Sequence, residues 1–357
     1  MMSIRGSAIL ILLAVVLSVS SCNNDDNVPV DLLTLTADRL YYNNESENWV
    51  VIWNSEGELL DYKPYTLNET ARFSTTPRVT DANQTFTVNV ESPLATRFLN
   101  VSDKYHAFGG NGEAGTPVEC FYDPRTSDYN IAYRTDEGLK HKLITDVKAN
   151  DVFNLTDDDF VPYETEITID IPSSYALMFL TGYEAGVPLS ASGYNLDTYN
   201  ASTSTSSIRT GYFNSIVKFN MFISLQIGSG NVTYQKLGSL PGAILWPDPT
   251  KFQVKSKDPA TFAAEATQAV SFVKASWQSS TPQYATRWEV WSPQLAPKIG
   301  KLPDEFLKDH PTGAVTAADF ERIAFYLGSY SYQKHFEVEI QGIIDEEFEV
   351  VTVSKYN

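Results

Sequence analysis

The sequence is poor in cysteine, histidine and positive charge. It holds two cysteines, Cys22 and Cys120, which excludes a small fold stapled by several disulfides. It holds four histidines: His106, His141, His310 and His335. None lies within four residues of another and none sits in HExxH, so no local zinc motif is present. Lys and Arg number 26 against 44 Asp and Glu, for a net charge of −18. Such a surface repels nucleic acid and anionic lipid, and no nucleic-acid partner is expected. Beyond the N-terminus no apolar run reaches the roughly 18 residues of a spanning helix. A GxSxG elbow, a phosphate-binding loop and EF-hand spacing are also missing. Phe108 to Gly115, FGGNGEAG, is glycine-rich, but no GK[ST] follows and the next stretch, VECFYD, reads as a strand.

The N-terminus reads MMSIRGSAILILLAVVLSVSSC, with Arg5 as the only charge before Cys22. Ala8 to Val19 is almost wholly apolar and too short for a permanent membrane span. A basic start, a short apolar core and a small-residue exit make a secretory signal peptide. Val19-Ser20-Ser21-Cys22 resembles the bacterial lipobox. That resemblance implies cleavage after Ser21, acylation of Cys22 and attachment to a membrane. The next residues, Asn23, Asn24, Asp25 and Asp26, resemble the acidic export signal of Bacteroidetes surface lipoproteins. The resemblance implies display at the outer-membrane surface on a short, solvated tether.

Hydrophobic residues make up 43% of the chain and aromatics 13%, with 20 Tyr and 19 Phe. The first figure provides for real cores; the second favours β-structure. Period-2 alternation runs from Leu33 onward, broken by turn residues about every ten positions, which predicts an all-β chain of two or three consecutive β-sandwich domains. NWVVIW and ELLDYKPY flank Asn54 to Gly57, a hairpin turn with glycine where positive φ is cheap. The phrase WVVIWNSEGELLDYKPY resembles carboxypeptidase-regulatory-like, immunoglobulin-like modules of Bacteroidetes surface proteins. It implies a binding or spacer sandwich rather than an enzyme.

The expected division is a signal peptide at 1–21, a tether at 22–32, a β-sandwich at 33–100 and β-rich domains at 101–207 and 208–357. TEITIDI and YALMFLTGY read as two strands, and Ile216 to Ile227 as one in which Val217, Phe219, Met221 and Ile223 share a face. Thr316 to Gly328 fits a Thr316-capped helix or a strand.

Four tryptophans are candidate ligand platforms, since an exposed ring stacks on a sugar face. Trp49 and Trp53 share one face of a strand. Trp288 and Trp291, in RWEVWS, fall on opposite faces, so a regular strand exposes at most one of them. Core packing competes for each. Cys120, between apolar neighbours, reads as a small core residue. Asp157 to Asp159 read as a solvated turn, and His335 as the exposed start of a strand. No catalytic residue, metal site or cofactor is expected. The composite expectation is a non-catalytic, lipid-anchored binding or accessory protein with a glycan or envelope-protein ligand. The alternatives are a structural or adhesive spacer and a hydrolase with scattered residues.

Overall fold

The computed structural model describes residues 7–11, 48–53, 57–65, 85–91, 98–104, 110–113, 115–123, 126–135, 138–187, 189, 193–201, 203–228, 230–280, 285–335 and 347–357. The fold is all-β. Among the described residues, α-helix is confined to Asp304–Asp309 and Tyr332–His335. The chain divides into two compact units. Unit 1 comprises Met1–Phe73, Asp248–Ile343 and Thr352–Asn357; unit 2 comprises Ser74–Pro247 and Ile344–Val351. The expected boundaries at 100/101 and 207/208 both fall inside unit 2. Local alternation marks where strands are, but pairing across long sequence separations decides which strands share a unit.

Unit 2 holds a sandwich of two small sheets. One runs Val161–Pro162, Gly138–Ile144, Tyr129–Thr135, Phe98–Ser102, Gly110–Glu113. The other runs Val152–Thr156, Thr85–Glu91, Val118–Phe121, with its first two strands parallel. Their core contains Val88, Leu99, Val101, Val118, Cys120, Ile131, Tyr133 and Phe160. Cys120 is therefore a core residue, and burial pushes its thiol up to about 12, far from a reactive thiolate.

The second core of unit 2 forms around one strand of 20 residues, Thr165–Glu184. TEITIDI and YALMFLTGY are its two halves, not separate strands. The first half pairs with Thr205–Tyr212; the second pairs with Tyr194–Asn200 on one side and Ile216–Ile227 on the other. The register shifts between Asp170 and Ser174, around Pro172. Proline has no N–H to give to a ladder, so a switch of partner is where a strand tolerates it. Ser174 lends its hydroxyl to the Gln226 carbonyl at 2.7 Å. Phe219, Met221, Ile223 and Leu225 face the core as the alternation requires, but Val217 is exposed and Ile216 is buried instead. A second register shift, between Tyr183 and Glu184, moves that end of the ladder by one residue.

Unit 1 is built on Phe272–Ser280, flanked by Ala285–Ser292 and Phe320–Leu327, both antiparallel to it. Phe272 to Trp277 are all buried, so this strand is covered on both faces. Phe252, Phe262, Phe320 and Phe325 pack about it, and Trp277 donates its indole N–H to the Lys257 carbonyl at 2.8 Å. The segment at Thr316 resolves into a 3-10 turn, Ala317–Asp319, and then the strand Phe320–Leu327. Thr316 does cap that turn, but a strand partner outweighs weak helix propensity in FERIAFYL. The expected hairpin is present: Asn48–Trp53 pairs antiparallel with Leu59–Tyr65, and Gly57 has φ +80°. Ser7–Ile11, inside the N-terminal apolar run, forms a strand parallel to both Ala285–Ser292 and Asn48–Trp53.

Glycine geometry gives a direct test. Gly193 has φ +68°, and a Cβ there would lie 2.7 Å from the Gly182 carbonyl oxygen. Gly186 has φ +83° with open space around it. Urea denaturation should show Gly193→Ala costing about 2 kcal/mol or more, and Gly186→Ala about 1 kcal/mol, because only the first adds a backbone clash to the left-handed strain.

Candidate functional site

A buried polar group lies in unit 2, where Tyr129–Thr135 meets Tyr194–Asn200. The latter strand is buried along most of its length, on both faces. Tyr194 and Leu196 join the apolar core, while Asn195 and Asp197 alternate onto the opposite face. Arg134 donates from Nε to Asp197 at 3.1 Å, and its Nη2 makes a second, closer contact with the same carboxylate. Nη2 also donates to the Arg209 carbonyl at 3.0 Å, and the guanidinium lies 4.7 Å from the Tyr199 ring centre. Asp197 is 0% exposed. Burial pushes its carboxyl up, and the Arg134 guanidinium pulls it back.

Further polar contacts continue along the same junction. Asn195 gives its backbone N–H to the Ser102 hydroxyl at 3.0 Å, and Asn130 donates to the Asn195 carbonyl at 3.2 Å. Tyr163 donates its hydroxyl to the Leu196 carbonyl at 2.9 Å. The His141 ring stacks on Tyr163 at 4.4 Å with 8° between planes. Burial lowers the His141 pKa, and neither ring nitrogen has a hydrogen-bond partner, so the imidazole serves as a neutral packing plate.

A cavity opens beside this group, lined by Gly138, Leu139, Tyr163, Glu166, Arg209, Thr210 and Gly211. Arg209 and Glu166 form an exposed ion pair at 3.0 Å. Gly211 cannot carry a side chain here: a Cβ would lie 2.8 Å from the Tyr163 Cβ and 2.9 Å from the Thr165 carbonyl oxygen. The cavity volume is about 20 Å³. That holds a water molecule but is far below the roughly 300 Å³ of a small-molecule site. The arrangement joins strands of unit 2.

A second cluster lies in unit 1 around His335. This histidine is 2% exposed, at the end of the Tyr332–His335 helix, and is not the exposed strand start expected of it. Helix placement turns it inward among Phe272, Trp291 and Tyr326, with ring centres 4.9, 4.6 and 4.7 Å away. Neither ring nitrogen has a hydrogen-bond partner. Burial, helped by the Lys274 charge, lowers its pKa to about 3. Lys274 pairs with Glu289 at 3.2 Å and sits 4.8 Å from the Trp291 ring centre.

Trp288 and Trp291 are 4% and 0% exposed, so neither offers a ring face to solvent. Their strand lies against Phe272–Ser280, which is covered on both faces, so opposite faces both lead inward. Trp49 and Trp53 lie on a described strand, but their side chains are outside the described residues, as are His106, Cys22 and Asn23 to Asp26. Asp157–Asp159 form a 3-10 turn closed by Thr156 and Asp159, with Asp157 accepting the Tyr133 hydroxyl at 2.7 Å. Among the described residues no group of three or more His, Cys, Asp or Glu is placed to hold a metal ion. Sequence reading missed the Arg134–Asp197 pair; the available signal was one charge of each sign in otherwise uncharged strands, YNIAYRT and YNLDTYN.

Two measurements test these clusters. Arg134→Met should cost about 3–5 kcal/mol in urea denaturation, because it leaves Asp197 buried without its counter-charge. Arg134→Met with Asp197→Leu should recover most of that loss. For His335, the unfolded imidazole takes a proton near its usual pKa of 6.5 and the folded one only near 3. Its share of stability is thus complete above pH 6.5 and declines as pH falls towards 3, at a limiting slope of about 1.4 kcal/mol per pH unit. His335→Phe should remove that share of the acid slope in a pH series of denaturation curves.

No protein-family model matches this chain, and no curated protein matches it.

Proposed function

We propose that the chain is an outer-membrane lipoprotein, anchored through Cys22 and displayed at the cell surface, that acts as a non-catalytic binding or accessory protein. The observation that carries this reading is Val19-Ser20-Ser21-Cys22 at the end of a short apolar run whose only preceding charge is Arg5. Small residues before the cysteine suit a narrow peptidase site, and the thiol is the atom that becomes acylated. Cys120, the other cysteine, is buried in the unit 2 core, which leaves the Cys22 thiol available for lipid rather than a disulfide. Acyl chains contribute about 0.8 kcal/mol per buried CH₂, so several of them hold a protein firmly on a membrane. The net charge of −18 becomes −19 once Arg5 leaves with the signal, which keeps the fold off anionic lipid.

The all-β architecture supports a binding or accessory role for a glycan or an envelope protein. Burial of Trp288 and Trp291 removes two of the four aromatic platforms considered for sugar stacking and shifts the weight towards a protein partner.

Mass spectrometry of the N-terminal peptide should find an acylated Cys22, and protease added to intact cells should shave the protein. Cys22→Ala should abolish acylation and leave the protein off the membrane. An unmodified Cys22 in the wild-type protein would overturn the anchor; acylation without shaving would place the protein on the periplasmic face.

A further inference from the structure

In unit 2, Tyr194–Asn200, the second half of Thr165–Glu184, Ile216–Ile227 and Gly230–Gly238 lie side by side in that order. One face of this stretch carries the apolar core that contains Met178, Leu180, Met221 and Ile223. The alternate residues form the other face. On it, Tyr175, Leu177 and Phe179 follow one another along the long strand. They make an apolar strip about 13 Å long, at roughly 3.4 Å per residue. Tyr175 is 58% exposed, and Leu177 and Phe179 are half-buried. Phe222 stands directly opposite Phe179, with ring centres 6.2 Å apart, and widens the strip at that end.

Amides and hydroxyls flank the strip on both sides. On one side Asn200 lies opposite Leu177, and Thr198 opposite Phe179. On the other side Gln226 lies opposite Tyr175, and Ser224 opposite Leu177. The next strand adds Asn231, Thr233 and Gln235. Ser224 donates its hydroxyl to Asn231 Oδ1 at 3.0 Å, which ties these two strands' side chains together. Gln226 and Asn200 are exposed and the others half-buried. None of these side chains is charged, on a chain whose net charge is −18. Charge enters the face only further along, at Lys218, which Glu347 meets at 3.3 Å.

We propose that this face binds an extended neutral glycan, with sugar rings stacked on the strip from Tyr175 to Phe179 and sugar hydroxyls bonded to the flanking amides and hydroxyls. The inference rests on the binding reading above and names its ligand class and its surface. The C–H face of a sugar ring is apolar and packs on an aromatic or aliphatic side chain, while hydroxyls project from the ring's edges. An apolar strip between two polar flanks has that same cross-section. Amides and hydroxyls both donate and accept, so they meet a sugar hydroxyl in either sense. An acidic glycan finds no cation on the strip or its flanks to pair with. The charge complementarity that selects a protein partner is missing from these flanks too. Tyr175, rather than the buried Trp288 or Trp291, supplies the ring that a sugar meets first.

The test uses the full protein, purified from whichever cell fraction holds it, in a non-glycosidic detergent. It is run in native gels cast with one soluble polysaccharide each: a β-glucan, an α-glucan, a xylan, a mannan or the acidic polygalacturonate. The expected result is retardation by at least one neutral polymer and none by polygalacturonate. Tyr175→Ala should weaken that binding about tenfold or more, and Gln226→Ala by less, each with Tm unchanged. Phe121→Ala removes an exposed ring from a different sheet of unit 2 and should leave the retardation as it is. Retardation by none of the neutral polymers, stronger retardation by polygalacturonate, or a loss as large in Phe121→Ala would overturn the proposal. So would retardation that Tyr175→Ala leaves unchanged; if that variant loses Tm, Gln226→Ala decides in its place. None of these results touches the lipid anchor, which stands or falls on the mass of the N-terminal peptide.

Discussion

The bidentate pair of Arg134 and Asp197 is the contact on which unit 2 depends. It joins a strand of the five-stranded sheet to one beside the long Thr165–Glu184 strand, and through the Arg209 carbonyl it reaches a third element. A carboxylate buried to this degree is unfavourable alone and is tolerated only because a guanidinium meets it with matching geometry. The Asn195 backbone adds neutral hydrogen bonds beside it: its N–H donates to the Ser102 hydroxyl and its carbonyl accepts from Asn130. Polar pairing of this kind selects one register: a slip by one residue would drive Asp197 into the apolar core and Leu196 against the arginine.

The same alternation gathers buried polar side chains of unit 2 on one face of a strand. Tyr163, His141 and Asn130 are held by stacking and by one another, and the cavity beside them has the size of a water molecule. Unit 1 is organised differently. Its interior is aromatic, and His335 is enclosed by rings without a hydrogen-bond partner. A neutral imidazole fits there and an imidazolium does not.

Much of the fold was legible as strands. NWVVIW, ELLDYKPY and VECFYD became strands, and the Gly57 turn adopts the positive φ that the hairpin required. Legibility failed where a strand serves two partners or is covered on both faces. Thr165–Glu184 looked like two strands because Pro172 interrupts the alternation, and Val217 was assigned to the wrong face because a register shift is invisible in one strand alone. Trp288 and Trp291 were separated correctly by period 2, but period 2 does not reveal that both faces of their neighbour Phe272–Ser280 are buried. His335 was misplaced because a four-residue helix leaves almost no periodic signal.

The sequence by itself determined the class of structure, the hairpin at Gly57 and the core role of Cys120. These depend on the side-chain period and the conformational freedom of one glycine, both of which are local properties. Only the tertiary structure decided that each compact unit gathers segments distant in sequence, that Arg134 meets Asp197, and that Ser7–Ile11 pairs with residues near 290. Each of these is a pairing between distant segments. Backbone hydrogen-bonding groups are the same in every strand, so local sequence marks a strand without naming its partner; shape and charge complementarity across the assembled core select it.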